Sequence, residues 1–263
     1  MADKKARIIA VVSGKGGVGK TTTAINLGAA LNFHGQNVTV VDGNVTTPNM
    51  GVYLGVPVVP VSLHTVLSGK KEMHEAVYAH KSGTRLVLAS LALKDLKKIE
   101  VHKLKKAVAQ LEHSCDFVIV DSSPGLTKET AAVIEAADEV LIVTNPEMPA
   151  VTDALKTIKL SKELHKKVLG VLITKTNVKN ADMPLKDIED VLETQIVGVI
   201  PEDRAVKFSH AAKDAVVHTH PKSAAAVQYK TLAAELAGIK YHEPIEPQVG
   251  PITHFLLRWF GFR

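Results

Sequence analysis

A chain of 263 residues, 46% hydrophobic and 22% charged, carries enough apolar material for one large core or two small ones and is not a disordered chain. A formal charge of +5 is compatible with an anionic partner, either DNA or an anionic membrane surface, without requiring one. A single Trp and four Tyr argue against a stacking platform for single-stranded nucleic acid, and the lone Cys115 excludes an intramolecular disulfide or a cysteine-only metal cage.

The first predicted strand, RIIAVVS, is short and runs directly into glycines, so it reads as a strand and not as a signal peptide. Further strand candidates follow in chain order: VTVVD, RLVLAS, FVIVD, EVLIVT, VLGVLITK and QIVGVIP. None alternates cleanly with polar residues, which predicts strands buried on both faces of a mostly parallel sheet. Between them lie the helical patterns TTAINLGAALNFHG, KDLKKIEVHKLKKAVAQLEH, TKETAAVIEAA, VTDALKTIKLSKELHK, PLKDIEDVLE and SAAAVQYKTLAAELAG. The rhythm predicts an α/β, three-layer fold of the P-loop type, with helices flanking the sheet. The lysines of KDLKKIEVHKLKK are read as a solvated helix face, and Cys115, before an apolar run, as a small buried hydrophobe. No stretch is long and apolar enough to span a bilayer, so a cytoplasmic protein is expected, unless it attaches to a surface.

Gly14 to Thr21 fits G-x-x-x-x-G-K-T between a predicted strand and a predicted helix, the context a phosphate-binding loop needs. Glycines let backbone N–H groups turn toward phosphate oxygens, and the helix N-terminus adds unsatisfied donors. Lys20 is placed to reach the β- and γ-phosphates, and the Thr21 hydroxyl to ligate Mg²⁺. The same stretch also reads as G-x-G-x-x-G through Gly14, Gly16 and Gly19, with Asp42 at the distance expected of a ribose-binding carboxylate. Lys20 and Thr21 decide against that dinucleotide reading, which needs neither a lysine nor a metal-binding hydroxyl there. FVIVDSSPG supplies Asp121 at a strand end, as a second contributor to the metal shell.

SGKGGVGKTT is more specific than a general phosphate loop and resembles the deviant Walker A motif of the MinD/ParA family of ATPases. VVDGNVTTPNM, DFVIVDSSPG, ADEVLIVTNPEMPAVTDALKT and QIVGVIPED extend the likeness over about residues 7 to 238, nearest to MinD-type proteins of archaea or bacteria. The resemblance implies an ATPase that dimerises in its ATP state, with ATP and Mg²⁺ as cofactors. It also implies a role for Lys15, which by itself reads as a surface lysine: a cation acting across the dimer on the partner's phosphates. Residues Gly14, Lys15, Gly16, Gly17, Val18, Gly19, Lys20, Thr21 and Thr22 are the implied nucleotide loop. Thr21, Asp42 and Asp121 are the implied metal residues, and Lys15, Lys20, Asp42 and Asn44 the catalytic set. Many relatives carry a carboxylate where this chain has Asn44. An amide orients a water but cannot take its proton at neutral pH, so slow hydrolysis is expected, with an activator as a possible partner. Thr174 stands where relatives often place an adenine-reading Asn, leaving backbone groups near Pro201 and Asp203 as the remaining base contacts.

A segment rich in Pro and Glu follows Gly238, then ITHFLLRWFGFR. The expected organisation is an ATPase domain over 1–241, a linker over 242–251 and an amphipathic helix over 252–263. On a helix, Ile252, Phe255, Leu256, Trp259 and Phe260 share one side, opposite His254 and Arg258. This resembles the membrane-targeting tail of MinD and implies reversible, peripheral attachment to an anionic cytoplasmic membrane surface. A docked core helix and a segment for a partner's groove are the competing readings. The leading function is a MinD-like switch that positions the division site or another cargo. A ParA-like DNA-binding partition ATPase is the alternative, with DNA the less expected partner, and Asn44 hints at a weakly hydrolysing scaffold. The isolated Cys115 argues against a metal-cluster carrier.

Overall fold

The computed structural model describes residues 5–96, 99–176 and 183–242. The chain runs through β1 (Arg7–Val12), α1 (Lys20–Phe33), β2 (Val38–Asp42), α2 (Met50–Tyr53), α3 (Leu63–Leu67), β3 (Val77–Ala79) and β4 (Arg85–Val87). It continues with α4 (Leu93–Leu96), α5 (Leu104–Ala109), β5 (Phe117–Asp121), α6 (Lys128–Ala136), β6 (Glu139–Thr144) and α7 (Met148–Glu163). The last elements are β7 (Lys167–Thr176), α8 (Leu185–Leu192), β8 (Ile196–Pro201), α9 (Arg204–Ala211), α10 (Val216–Thr219) and α11 (Ala224–Ala237).

The strands form one sheet in the order β3-β4-β2-β5-β1-β6-β7-β8. All neighbours pair in parallel except β3 with β4. All seven strands expected from sequence are present, and β3, half-exposed and without a buried apolar run, adds the antiparallel edge. The apolar runs on β1 are explained by burial on both faces. Ile8, Ala10 and Val12 join one buried cluster with residues of α3, α5, α6, α7 and α8, whereas Ile9 and Val11 join another with residues of α1, α10 and α11. β1 lies at the centre, between β5 and β6. There the strand order changes direction, which opens a crevice at the carboxyl ends of the strands.

Two expectations are corrected. KDLKKIEVHKLKKAVAQLEH is not one helix: α4 and α5 are separate, and a 3-10 turn at Val101–Lys103 precedes α5. Glu100 adopts a non-helical backbone (φ −101°, ψ 76°), which interrupts the helix before Val101, although Ile99 and Val101 still pack against the core. Cys115 is only half-buried, against the carbonyl of Leu111. No helix among the described residues is long and apolar enough to cross a membrane. Ile252, Phe255, Leu256, Trp259 and Phe260 lie outside the described residues.

Candidate nucleotide-binding site

The loop Ser13–Gly19 leaves the end of central strand β1 and turns into α1. Its turn depends on left-handed backbone at Gly17 (φ 81°) and Gly19 (φ 91°), a region that disfavours side chains. Gly14 is required for a different reason: a Cβ there would lie 2.4 Å from the Asp153 carbonyl oxygen, so α7 approaches the loop backbone directly. Gly19 caps α1 without a side-chain bond, which leaves the first amides of the helix without a capping side chain.

Behind the loop stand two buried carboxylates. β2 and β5 are in register so that Asp42 faces Asp121 at the strand ends. Asp121 accepts from the Thr21 hydroxyl at 2.6 Å and from the Lys20 ammonium at 3.2 Å, and the same ammonium donates to the Ser122 carbonyl. Burial raises the Asp121 pKa, with Lys20 and Thr21 opposing. Asp42 lacks any such partner: both its carboxylate oxygens are buried without a hydrogen bond. Burial, reinforced by repulsion from Asp121, pushes its pKa up to about 8; the nearby amides of Asn44 and Met50 reduce the shift without reaching good hydrogen-bond geometry. An orphaned carboxylate of this kind calls for a proton or a cation. Among the described residues no group of three or more His, Cys, Asp or Glu could hold a metal by itself. Thr21, Asp42 and Asp121 therefore suit Mg²⁺, which takes one or two carboxylates and completes its shell with water and phosphate oxygens.

A cleft of about 540 Å³ opens over the loop. It gathers most of the expected residues: Lys15, Gly16, Gly17, Gly19, Lys20, Thr21, Thr22, Asn44, Thr174, Pro201 and Asp203 all line it. Gly14, Val18, Asp42 and Asp121 lie outside its wall. Several of the expected side chains are already committed. Asn44 turns its amide to Thr47, donating to the carbonyl at 2.7 Å and accepting from the amide and the hydroxyl. Thr174 donates to the Val18 carbonyl and lies 3.2 Å from that of Thr144. Asp203 caps α9 by accepting from Ala205 N and also accepts from Ala225 N. Against its partial burial, these amides lower its pKa.

Glu147, Lys175 and His64, none of them among the expected site residues, support the site. Lys15 pairs with Glu147 at 2.6 Å, both about two-fifths exposed, and Asn145 donates to the other Glu147 oxygen. The Lys15 hydrogen bond, set against slight desolvation, holds the Glu147 carboxyl below its usual range. Lys175, in left-handed backbone (φ 54°), donates to the Gly17 carbonyl at 2.5 Å. It follows Thr174 directly, and that adjacency was the one available signal. Buried His64 accepts from Ser90 N at Nδ1 and so carries its proton on Nε2, which donates to the Val45 carbonyl at 3.0 Å. It thereby fixes the backbone beside Asn44.

A flexible glycine turn on a central strand, a lysine and a threonine opening the next helix, and paired strand-end aspartates define a P-loop nucleoside triphosphate site. A family profile described as an AAA domain matches residues 6–190. Over 256 residues the chain is 33% identical to an uncharacterized ATP-binding protein of Methanocaldococcus jannaschii, with 97% of each covered. The cell division ATPase MinD of Pyrococcus furiosus superposes with a TM-score of 0.85 at 32% identity, covering 89% of this chain and 99% of that one. The septum site-determining protein MinD of Pyrococcus horikoshii, complexed with Mg-ADP, gives 0.84 at 31% identity, covering 88% and 96%. The chain belongs to the MinD/ParA family of P-loop ATPases.

Proposed function

We propose that this protein is an ATP-driven dimerising switch of the MinD type, which hydrolyses ATP slowly and attaches reversibly to a membrane to position the division site or another cargo. The observation that carries this reading is Lys15. A second lysine stands at the rim of the phosphate loop, half-exposed and tethered only by the half-exposed Glu147. Such a surface pair contributes little, so exchanging it for a partner's phosphates costs little. Lys20 is the opposite case, buried and directed at Asp121 within its own chain.

Residues of this chain can divide the work as follows. Lys20 exchanges Asp121 for the β- and γ-phosphates, and loop amides hold the same oxygens. Thr21, Asp42 and Asp121 would hold Mg²⁺, which would supply positive charge against the phosphates. Asp42, whose carboxyl pKa burial and Asp121 push up, would release its proton on taking a cation. Asn44, engaged with Thr47, shapes the loop over the cleft and offers no proton acceptor, so unassisted turnover below about 1 per second is expected. The residues after Pro251 supply the membrane contact in this reading. One short apolar helix binds weakly, and two on a dimer bind with strongly raised avidity.

The test combines light scattering with liposome sedimentation. Wild type should approach dimer mass with ATP or a non-hydrolysable analogue, and pellet with anionic liposomes mainly in that state. Lys15→Ala should bind nucleotide as a monomer but fail to dimerise or turn over. Wild type that stays monomeric at micromolar concentration with every nucleotide sinks the switch.

A further inference from the structure

The wall of the cleft opposite the phosphate loop carries two aromatic side chains that the nucleotide reading leaves without a task. Tyr53 ends α2, and His210 lies in the last turn of α9. Both line the cleft, and their rings stack with centroids 4.6 Å apart at 22°. His210 Nε2 stands 3.4 Å from the Thr22 hydroxyl. Lys20 and Thr21 reach Asp121, on the metal side of the helix N-terminus, whereas the next residue, Thr22, reaches α9. A nucleotide whose terminal phosphates lie on the metal side presents its sugar-proximal phosphate toward Thr22 and His210. A second tie joins the same two helices. Lys213 Nζ donates to the Val52 carbonyl at 3.3 Å, and its stem packs where a Cβ on Gly55 would meet it at 3.0 Å.

We propose that His210 is a nucleotide-binding residue that contacts the phosphate nearest the sugar, and that its stack with Tyr53 passes this contact to the segment carrying Asn44 and Thr47. The proposal rests on the ATPase reading and adds two residues to its site. Neutral imidazole offers Thr22 one donor or one acceptor at Nε2, whereas imidazolium donates from both nitrogens. A phosphate oxygen favours the charged form, and the Tyr53 ring face stabilises a cation stacked on it. Burial and the Lys213 cation disfavour that form in the protein alone. The other charged groups lining the cleft near α9 are Lys207, Glu202 and Asp203, the last already occupied by the amides of Ala205 and Ala225. A bound phosphate therefore brings the missing negative charge, and binding should take up protons near neutral pH.

Calorimetry with Mg-ADP, run near pH 7 in buffers of different ionisation enthalpy, measures that uptake. Protons exchanged by the ligand itself are common to wild type and His210→Gln, so the difference isolates the imidazole. Wild type should take up more protons than His210→Gln and bind about tenfold more tightly, the scale of one hydrogen bond to a charged group. In the unmutated protein, Mg-ADP should raise the titration midpoint of the His210 ring resonance by NMR. Mg-ADP should also slow hydrogen exchange over residues 44–53 in wild type and not in Tyr53→Ala. Equal proton uptake with affinities within about twofold, or an unmoved His210 resonance, overturns the proposal. The ATPase reading fails separately: Mg-ADP binding that is absent, or indifferent to Lys20→Ala, removes the site itself. Binding that needs Lys20 and ignores His210 removes only the role argued for α9.

Discussion

At the phosphate end of the cleft, the contiguous stretch Ser13–Gly19 shapes the binding surface with its own backbone, and the neighbouring Lys20 and Thr21 supply the side chains. At the end of the cleft where the base would sit, no contiguous segment does this. Thr174 and Lys175 come from β7 and bond the Val18 and Gly17 carbonyls, across sequence separations of 156 and 158 residues. Asp203, after β8, is taken up by the amides of α9 and α11. The base end thus uses its polar side chains to brace the loop and keeps few free to read a ring edge. Phosphate recognition should be strong and insensitive to distant changes. Base recognition should be weak and should change together with the stability of the loop.

The largest expected effect lies at the phosphate end. Lys20→Ala should weaken Mg-ATP binding about a hundredfold, the cost of charge-assisted contacts to phosphate. It also strips the buried Asp121 of its cation, so the melting temperature should fall. The double change Lys20→Ala with Asp121→Asn separates the two effects: it should recover much of the stability and none of the affinity. Calorimetry and thermal melting check both. Nucleotide affinity that returns with stability would mean that Lys20 serves folding and not the phosphates.

Next is the pH dependence set by Asp42. Its native pKa is pushed up to about 8, against 3.8 as the ordinary value. Between those values the native state keeps a proton that the unfolded chain has released. Stability is therefore full below about pH 4 and is lost as pH rises toward about 8. Asp42→Asn, neutral at every pH, should melt higher than wild type at pH 8, with the gap closing toward pH 5. It should also lose the added stabilisation that Mg²⁺ gives to nucleotide binding. Melting profiles that stay parallel from pH 5 to 8.5 would show that Asp42 is ionised in the native protein and already compensated.

What the sequence disclosed divides along the same line. The phosphate loop and Asp121 were legible by local rules of glycine spacing, a strand followed by a helix and an acid at a strand end, whereas the metal role of Asp42 came from the family resemblance. Most strands were legible because burial on both faces leaves uninterrupted apolar runs. β3, a half-exposed edge of Val77–Ala79, leaves no buried apolar run, and the KDLKK stretch carries helical spacing that the non-helical backbone at Glu100 interrupts. Glu147, His64 and His210 were out of reach for another reason, and so was the bond of Lys175 to Gly17, although its place after Thr174 was visible. Their partners are set by which strand ends and helices meet in space, and no residue spacing encodes that. Asn44 was recognised by position, but its engagement with Thr47 is a side-chain choice visible only in the folded loop.

The smallest expected effect tests the base end. Lys175 adopts a left-handed backbone (φ 54°), uncommon and mildly strained for a side chain of its length, and its ammonium bonds the Gly17 carbonyl from an exposed position. Two contributions follow, one from the bond and one from the backbone, and two substitutions part them. Lys175→Met keeps the stem and removes the charge, so it should weaken binding of ATP and ADP alike, by about threefold to tenfold, through a less firmly held loop. Lys175→Gly removes the same bond but relieves the strained backbone, so it should be at least as stable as Lys175→Met. Because the lysine braces the loop and does not read the base, the ratio of ATP to GTP affinity should stay within about twofold of wild type in both variants. Competition binding with ATP and GTP measures that ratio directly. A variant that keeps its total affinity but changes the ratio would turn the comparison around. Lys175 would then be a base-reading residue, and the base end would discriminate through its side chains after all.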